Sequence, residues 1–122
     1  MGDTESISRA GEYLVAHLLE ERGIRVSRVD LSSHDLWCRT PSGRLVSVQV
    51  KSTLGPFGLQ TGKPRYAFYN AGSEVASVDV FAFAALDRRL ALFERTMRTR
   101  RNLLADDMTV EAMEASIARF FG

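Results

Sequence analysis

The chain has 122 residues, 45% of them hydrophobic and 25% charged, the make-up of one ordinary globular domain that can bury a core without metal or disulfide staples. Its one cysteine, Cys38, excludes a disulfide framework within the chain, and no run approaches the about 20 apolar residues of a membrane helix. Sixteen Lys and Arg against 15 Asp and Glu leave a formal charge of +1, so any contact with nucleic acid must rest on a local basic surface.

The start, Met1 to Ile7, is polar and lacks the apolar core of a signal peptide, so a cytoplasmic protein is expected. From Ile7 the apolar residues Ala10, Leu14, Val15, Leu18 and Leu19 recur at spacings of three and four. That is the stripe of a helix buried on one side, and Gly23 is placed to end it. The period then becomes two. Ile24, Val26, Val29 and Leu31 predict a strand with an irregularity near Ser27, and Asp35 to Thr40 a second strand. Pro41-Ser42-Gly43 is a turn, which folds this strand back onto Leu45 to Ser52. In that third strand Val46, Val48 and Val50 share one face and leave Ser47, Gln49 and Lys51 on the other.

Gly55, Pro56, Gly58, Gly62 and Pro64 mark Thr53 to Pro64 as an exposed loop. Tyr66 to Tyr69 resumes as a short aromatic strand. Val78 to Leu86 and Leu90 to Phe93, joined by Asp87-Arg88-Arg89, predict a second hairpin with its first strand central and its second nearer an edge. Arg95 to Asn102 reads as a basic connection, and Thr109 to Phe121 as a closing helix with Val110, Met113, Ile117 and Phe120 inward. The order predicts an α+β or α/β arrangement, a mixed sheet flanked by helices.

Four polar residues fall where neither a core nor a plain surface requires them: Glu12, Asp35, Gln49 and Lys51. Gln49 and Lys51 leave one face of a strand side by side. Asp35 opens the neighbouring strand and faces the same way across about 5 Å, while Glu12 borders the apolar stripe and turns toward the sheet. The result is an acidic pocket with one amine at its edge. Mg²⁺ takes octahedral oxygen ligands, commonly one or two carboxylates plus waters and phosphate oxygens. Asp35 is the expected principal ligand, with the Gln49 amide oxygen, the Val50 carbonyl and Glu12, directly or through water, completing the protein side. Mn²⁺ is expected to substitute. Lys51 is expected to orient the nucleophile or to stabilise developing negative charge.

At Gly11-Glu12, His34-Asp35-Leu36 and Val48-Gln49-Val50-Lys51-Ser52 the chain resembles the PD-(D/E)XK nuclease superfamily. The pattern there is a helix acid, an Asp at a strand start, then acid-x-Lys on the next strand of a hairpin. It is similar to the branch with Gln in place of the last acid, found among Mrr-like restriction enzymes and some transposase-associated nucleases. In size it is similar to Holliday-junction resolvases and intron-encoded endonucleases of this fold. His34 stands where the nominal proline would be, and Gln49 removes one negative charge from the ion's surroundings.

The resemblance implies a restriction-endonuclease-like core over about 6–94, within one domain spanning 1–122 that ends in a basic segment and helix over 95–122. It implies a Mg²⁺-dependent endodeoxyribonuclease, structure-specific or restriction- or homing-like, acting as a homodimer or higher homo-oligomer. Glu12, Asp35, Gln49 and Lys51 would be its catalytic residues, and Ser52, Lys63, Arg65, Arg98, Arg100 and Arg101 would contact DNA.

Each residue also has a plainer reading. Glu12 can be a helix-surface carboxylate, Asp35 an Asx turn, and Gln49 with Lys51 the wet side of an antiparallel sheet. The arginines can form a solvated segment paired with Asp106 and Asp107. The corresponding whole-chain alternative is a catalytically silent DNA-binding or protein-interaction module that keeps the fold.

Overall fold

A computed structural model of the chain describes residues 4–29, 35–70 and 78–122. Helix α1 (Thr4–Glu20) buries Val15, Leu18 and Leu19 of the stripe its sequence displays, whereas Ile7 and Leu14 are half-buried and Ala10 is exposed, because Gly11 takes the buried place in that turn. It ends in a Schellman turn: Ile24 N–H donates to Leu19 O (3.1 Å) and Gly23 N–H to Glu20 O (3.0 Å), with Gly23 at φ 80°, a conformation that favours glycine. Strand β1 (Arg25–Arg28) follows, and its Ser27 pairs in regular register with Trp37. The expected irregularity at Ser27 is therefore absent, and the strand is shorter than its alternation suggested. Leu31 and His34 lie outside the described residues.

Strands β2 (Leu36–Arg39) and β3 (Leu45–Thr53) form the first hairpin, and β5 (Val80–Ala85) and β6 (Leu90–Glu94) the second. Together with β1 they make a mixed five-stranded sheet in the order β1-β2-β3-β5-β6, in which only β3 and β5 run parallel. As its unbroken apolar sequence indicated, β5 is fully buried and internal, and β6 is at an edge.

The two faces of this sheet are covered differently. Val50, Ala82 and Phe93 are register partners and so share a face. Gly11 of α1 lies against Val50 and Ser52 there, and Phe93 meets Phe121 of α2 (Val110–Phe121) edge to face at 5.3 Å. Both helices therefore pack on that side, and Arg22 of the turn after α1 is paired with Glu114 of α2 (2.7 Å). The opposite face, with Phe83 in register beside Lys51, is covered by a separate antiparallel ribbon of β4 (Arg65–Tyr69) and β7 (Arg100–Leu104), whose Phe68 ring sits 5.0 Å from that of Phe83.

Strand β7 corrects the reading of Arg95 to Asn102 as connection only. Only its Leu103 is buried, and Arg-Arg-Asn has little strand propensity, so pairing with β4 across the ribbon makes the strand. The expected inward Val110 is 51% exposed. It occupies the first turn, after the Thr109 cap whose Oγ1 accepts from Ala112 N–H (3.1 Å), and Phe121 takes the inward place with Met113, Ile117 and Phe120. Within the Thr53–Pro64 loop, Phe57 bridges to Arg65 and residues Leu59–Thr61 form a 3₁₀ turn. Cys38 is a buried apolar residue; burial, reinforced by the charge of Glu20, pushes its thiol up to about 12. Among the described residues no helix is long and apolar enough to cross a membrane.

Candidate active site

The site is organised by β3. Asp35 stands just before β2, where its backbone N–H donates to Val48 O and its own carbonyl accepts from Val29 N–H, both at 3.0 Å. Its carboxylate then takes the place of the next ladder carbonyl: Asp35 Oδ2 accepts from Val50 N–H at 2.7 Å. In a strand the N–H and C=O of one residue point to the same side, so the Val50 carbonyl also faces the side that Asp35 occupies.

Gln49 and Lys51 leave β3 on the ribbon side. Gln49 Oε1 is buried and has no hydrogen-bond partner. A buried amide oxygen left without a donor costs about 1–3 kcal/mol, so its orientation calls for a partner of positive character. Lys51 is half-buried, and its Nζ donates to Asn70 Oδ1 at 3.4 Å. Burial lowers its pKa, and the negative charge of Asp35 opposes that shift.

Glu12 projects from α1 with its side chain 15% exposed and accepts from Arg28 Nε of β1 at 2.9 Å. Burial raises its pKa, the hydrogen bond from Arg28 lowers it, and the charge of Asp35 raises it again. Asp35 is thus close enough to act electrostatically on both Glu12 and Lys51.

Among the described residues no three His, Cys, Asp or Glu side chains cluster as a metal site. The oxygens in this region are of mixed type: the Asp35 carboxylate and the Val50 carbonyl on one edge of β3, the orphaned Gln49 Oε1 on its ribbon face, and Glu12 on α1, which covers the opposite face, so the structure does not bring Glu12 onto the face of Gln49 and Lys51 as expected. Hard oxygen donors carrying few negative charges suit a Mg²⁺-type ion that retains waters, and not a thiolate- or imidazole-seeking metal. The unpartnered Gln49 oxygen fits that role.

The residues expected at DNA are spread over several environments. Ser52 Oγ is buried and unpartnered, directly beneath Gly11, where an added Cβ would come within 1.6 Å of it; this hydroxyl faces the helix and not an open surface. Arg101 is tied to Glu94 through Nε (2.8 Å) and Nη2 (2.9 Å), in place of the expected Asp106 or Asp107. Lys63, Arg98 and Arg100 are exposed, and Arg65 opens β4 half-buried.

Two participants escaped the sequence reading, and a third, Gly11, was quoted there only as the neighbour of the helix acid. Asn70 holds Lys51, Arg28 neutralises Glu12, and Gly11 admits β3 close to α1. The signal for Gly11 was a glycine beside the helix acid. Asn70, directly after the aromatic strand, gave none.

This fold is similar to that of a solved bacterial homing endonuclease, I-Ssp6803I, with a TM-score of 0.67 and 19% sequence identity over 84% of this chain and 76% of that one. No protein-family model matches the chain, and no curated protein matches it. The likeness is one of fold: an α+β core with a mixed sheet and flanking helices.

Proposed function

We propose that the chain is a divalent-metal-dependent DNA endonuclease of the PD-(D/E)XK type, one domain over 1–122 that works as a homodimer so that two sites address two strands. The observation that supports this reading is the sequence of three neighbours along β3: the unpartnered Gln49 Oε1, the Val50 backbone that Asp35 engages, and a half-buried Lys51. The similarity of the fold to a homing endonuclease supports it.

Asp35, Gln49 and the Val50 carbonyl would hold Mg²⁺ or Mn²⁺, with Glu12 joining directly or through water. When bound, the ion supplies a more acidic water and neutralises charge on the scissile phosphate. The chain's own groups do the rest. Asp35 is fixed by the Val50 and Val48 backbones and so offers its carboxylate without reorganisation. Asn70 holds the half-buried Lys51 ammonium, and partial exclusion of water there would strengthen its attraction for the phosphoryl oxygens as they gain charge. Arg28 balances Glu12 and sets how much negative charge the pocket presents.

A second reading, a metal-independent DNA-binding module, is favoured by that same Arg28–Glu12 pair, which compensates Glu12 internally. Incubation with plasmid, linear duplex, single-stranded and branched DNA separates the two. Cutting with Mg²⁺ or Mn²⁺ and none with chelator is the expected result. DNA retention unaffected by chelator, with no calorimetric metal binding and no cutting, would overturn the enzyme.

A further inference from the structure

The β4–β7 ribbon buries Tyr66, Phe68 and Leu103 toward the sheet. By strand alternation and the register Arg65↔Leu104, Ala67↔Asn102 and Tyr69↔Arg100, those six residues form its outer face. No carboxylate lies among them. The two adjacent arginines of β7 are consequently in opposite situations. Arg101 is joined to Glu94 by two hydrogen bonds. Arg100 is exposed, and its guanidinium is held between the rings of Tyr69 (5.3 Å) and Phe57 (5.7 Å), with Nε donating to Asn102 Oδ1 (3.0 Å).

A guanidinium fixed in direction by two rings and an amide, with no acid bonded to it among the described residues, keeps its outer N–H groups for a ligand and has little side-chain freedom left to lose on binding. We infer that the outer face of this ribbon reads base edges in the major groove of duplex DNA, with Arg100 directed at guanine and Arg65 at a second position. A two-stranded ribbon fits the about 12 Å width of that groove, and the fork of an arginine matches guanine O6 and N7.

The placement follows from the chain itself. Tyr69 is followed by Asn70, which accepts from Lys51, so the Tyr69–Arg100 end of the ribbon adjoins the proposed catalytic site. Arg65 is four residues further back along β4, about 13 Å at strand rise, or about four base-pair steps. The position of the ribbon relative to the cut rests on the endonuclease reading. Base reading itself does not.

The test uses one randomised duplex library in two assays: selection of bound duplexes in chelator, and sequencing of the ends cut in Mn²⁺. Wild type should enrich a guanine-containing motif in the bound pool. Arg100→Lys should lose the preference at one base pair by about tenfold or more, with total low-salt affinity near wild type because the charge is kept. Arg65→Lys should lose it about four base pairs away. Matching thermal melts confirm that both variants fold.

No motif in the wild-type bound pool overturns the inference, as does a motif unchanged in both variants. So does sedimentation showing that Arg100→Lys or Tyr69→Ser dissociates a dimer while DNA selection is unaltered, which makes this face a protein interface. A bound motif without Mn²⁺-dependent cutting leaves base reading standing and removes the nuclease. Cutting without any motif does the reverse.

Discussion

Strand β3 is clasped from both sides by an aspartate, and the two clasps end differently. Asp79, just before β5, accepts from Ser47 N–H (2.9 Å) and Ser47 Oγ (3.1 Å) through one oxygen, and its own N–H donates back to Ser47 Oγ (2.9 Å). This is a closed ring in which both the N–H and the hydroxyl of Ser47 have partners. Asp35, just before β2, makes the corresponding bond to Val50 N–H (2.7 Å), but the neighbouring amide oxygen, Gln49 Oε1, is buried without a partner and the next side chain on that face is an amine. The same device joins a strand at one end and leaves an unused acceptor at the other. A closed polar ring stabilises the sheet, whereas an open one is where a ligand contributes most.

The comparison breaks most sharply at Lys51. Lys51→Ala should reduce cleavage by at least about 100-fold, the scale of losing one preorganised electrostatic donor, with its thermal melt close to wild type. Cleavage at the wild-type rate would remove Lys51 from the chemistry. Next come the two aspartates. Asp35→Asn keeps an oxygen to accept from Val50 N–H but loses the charge, so calorimetric Mn²⁺ binding and cleavage should vanish together from a folded protein. Asp79→Ala should leave both intact and lower the urea-unfolding free energy by about 1–3 kcal/mol, because Ser47 N–H is then buried without an acceptor. The proposed division of labour fails if the two variants behave alike.

A purely steric effect sharpens the same boundary. Gly11→Ala drives a methyl to within 1.6 Å of Ser52 Oγ and 2.7 Å of its Cβ, which should cost about 1–3 kcal/mol as an overpacked contact. The displaced α1 carries Glu12 with it. Adding Ser52→Gly should recover most of the stability, and failure of that double variant to recover would place the strain elsewhere.

How much of this could be read from the chain depended on the range of the signal. The α1 stripe, the alternation of β3, the Pro41–Gly43 turn and the apolar run of β5 are local patterns with one burial solution each, and they appear as predicted. The four polar residues of the candidate site stood out because the same local periods set them apart from the apolar positions, but which face of the sheet α1 covers, and so where Glu12 lies relative to Gln49 and Lys51, was a tertiary matter. Strand β7 was not, since Arg100, Arg101 and Asn102 favour no strand locally and become one only by pairing with β4, some thirty residues earlier in the chain. The split between Arg100 and Arg101 was hidden for the same reason. Alternation could assign their faces only once that strand was known, and the acid that claims Arg101 sits on β6.

The smallest effect carries the clearest sign. Gln49→Leu removes a buried oxygen that has no partner and replaces it with an apolar side chain of similar reach, so no donor is stranded by the loss. Stability should stay level or rise by up to about 1 kcal/mol, while Mn²⁺ affinity falls. Ser47→Ala, two residues earlier on the same face, removes a hydroxyl that both donates to Asp79 Oδ2 and accepts from Asp79 N–H, and its change must be destabilising. Gln49→Glu restores a charge beside Asp35 and should tighten Mn²⁺ at the expense of metal-free stability, since two neighbouring carboxylates then repel. Paired urea titrations with and without Mn²⁺ read all three variants. If Gln49→Leu proves as destabilising as Ser47→Ala, the Gln49 oxygen is engaged in the fold, and the open end of β3 is closed after all.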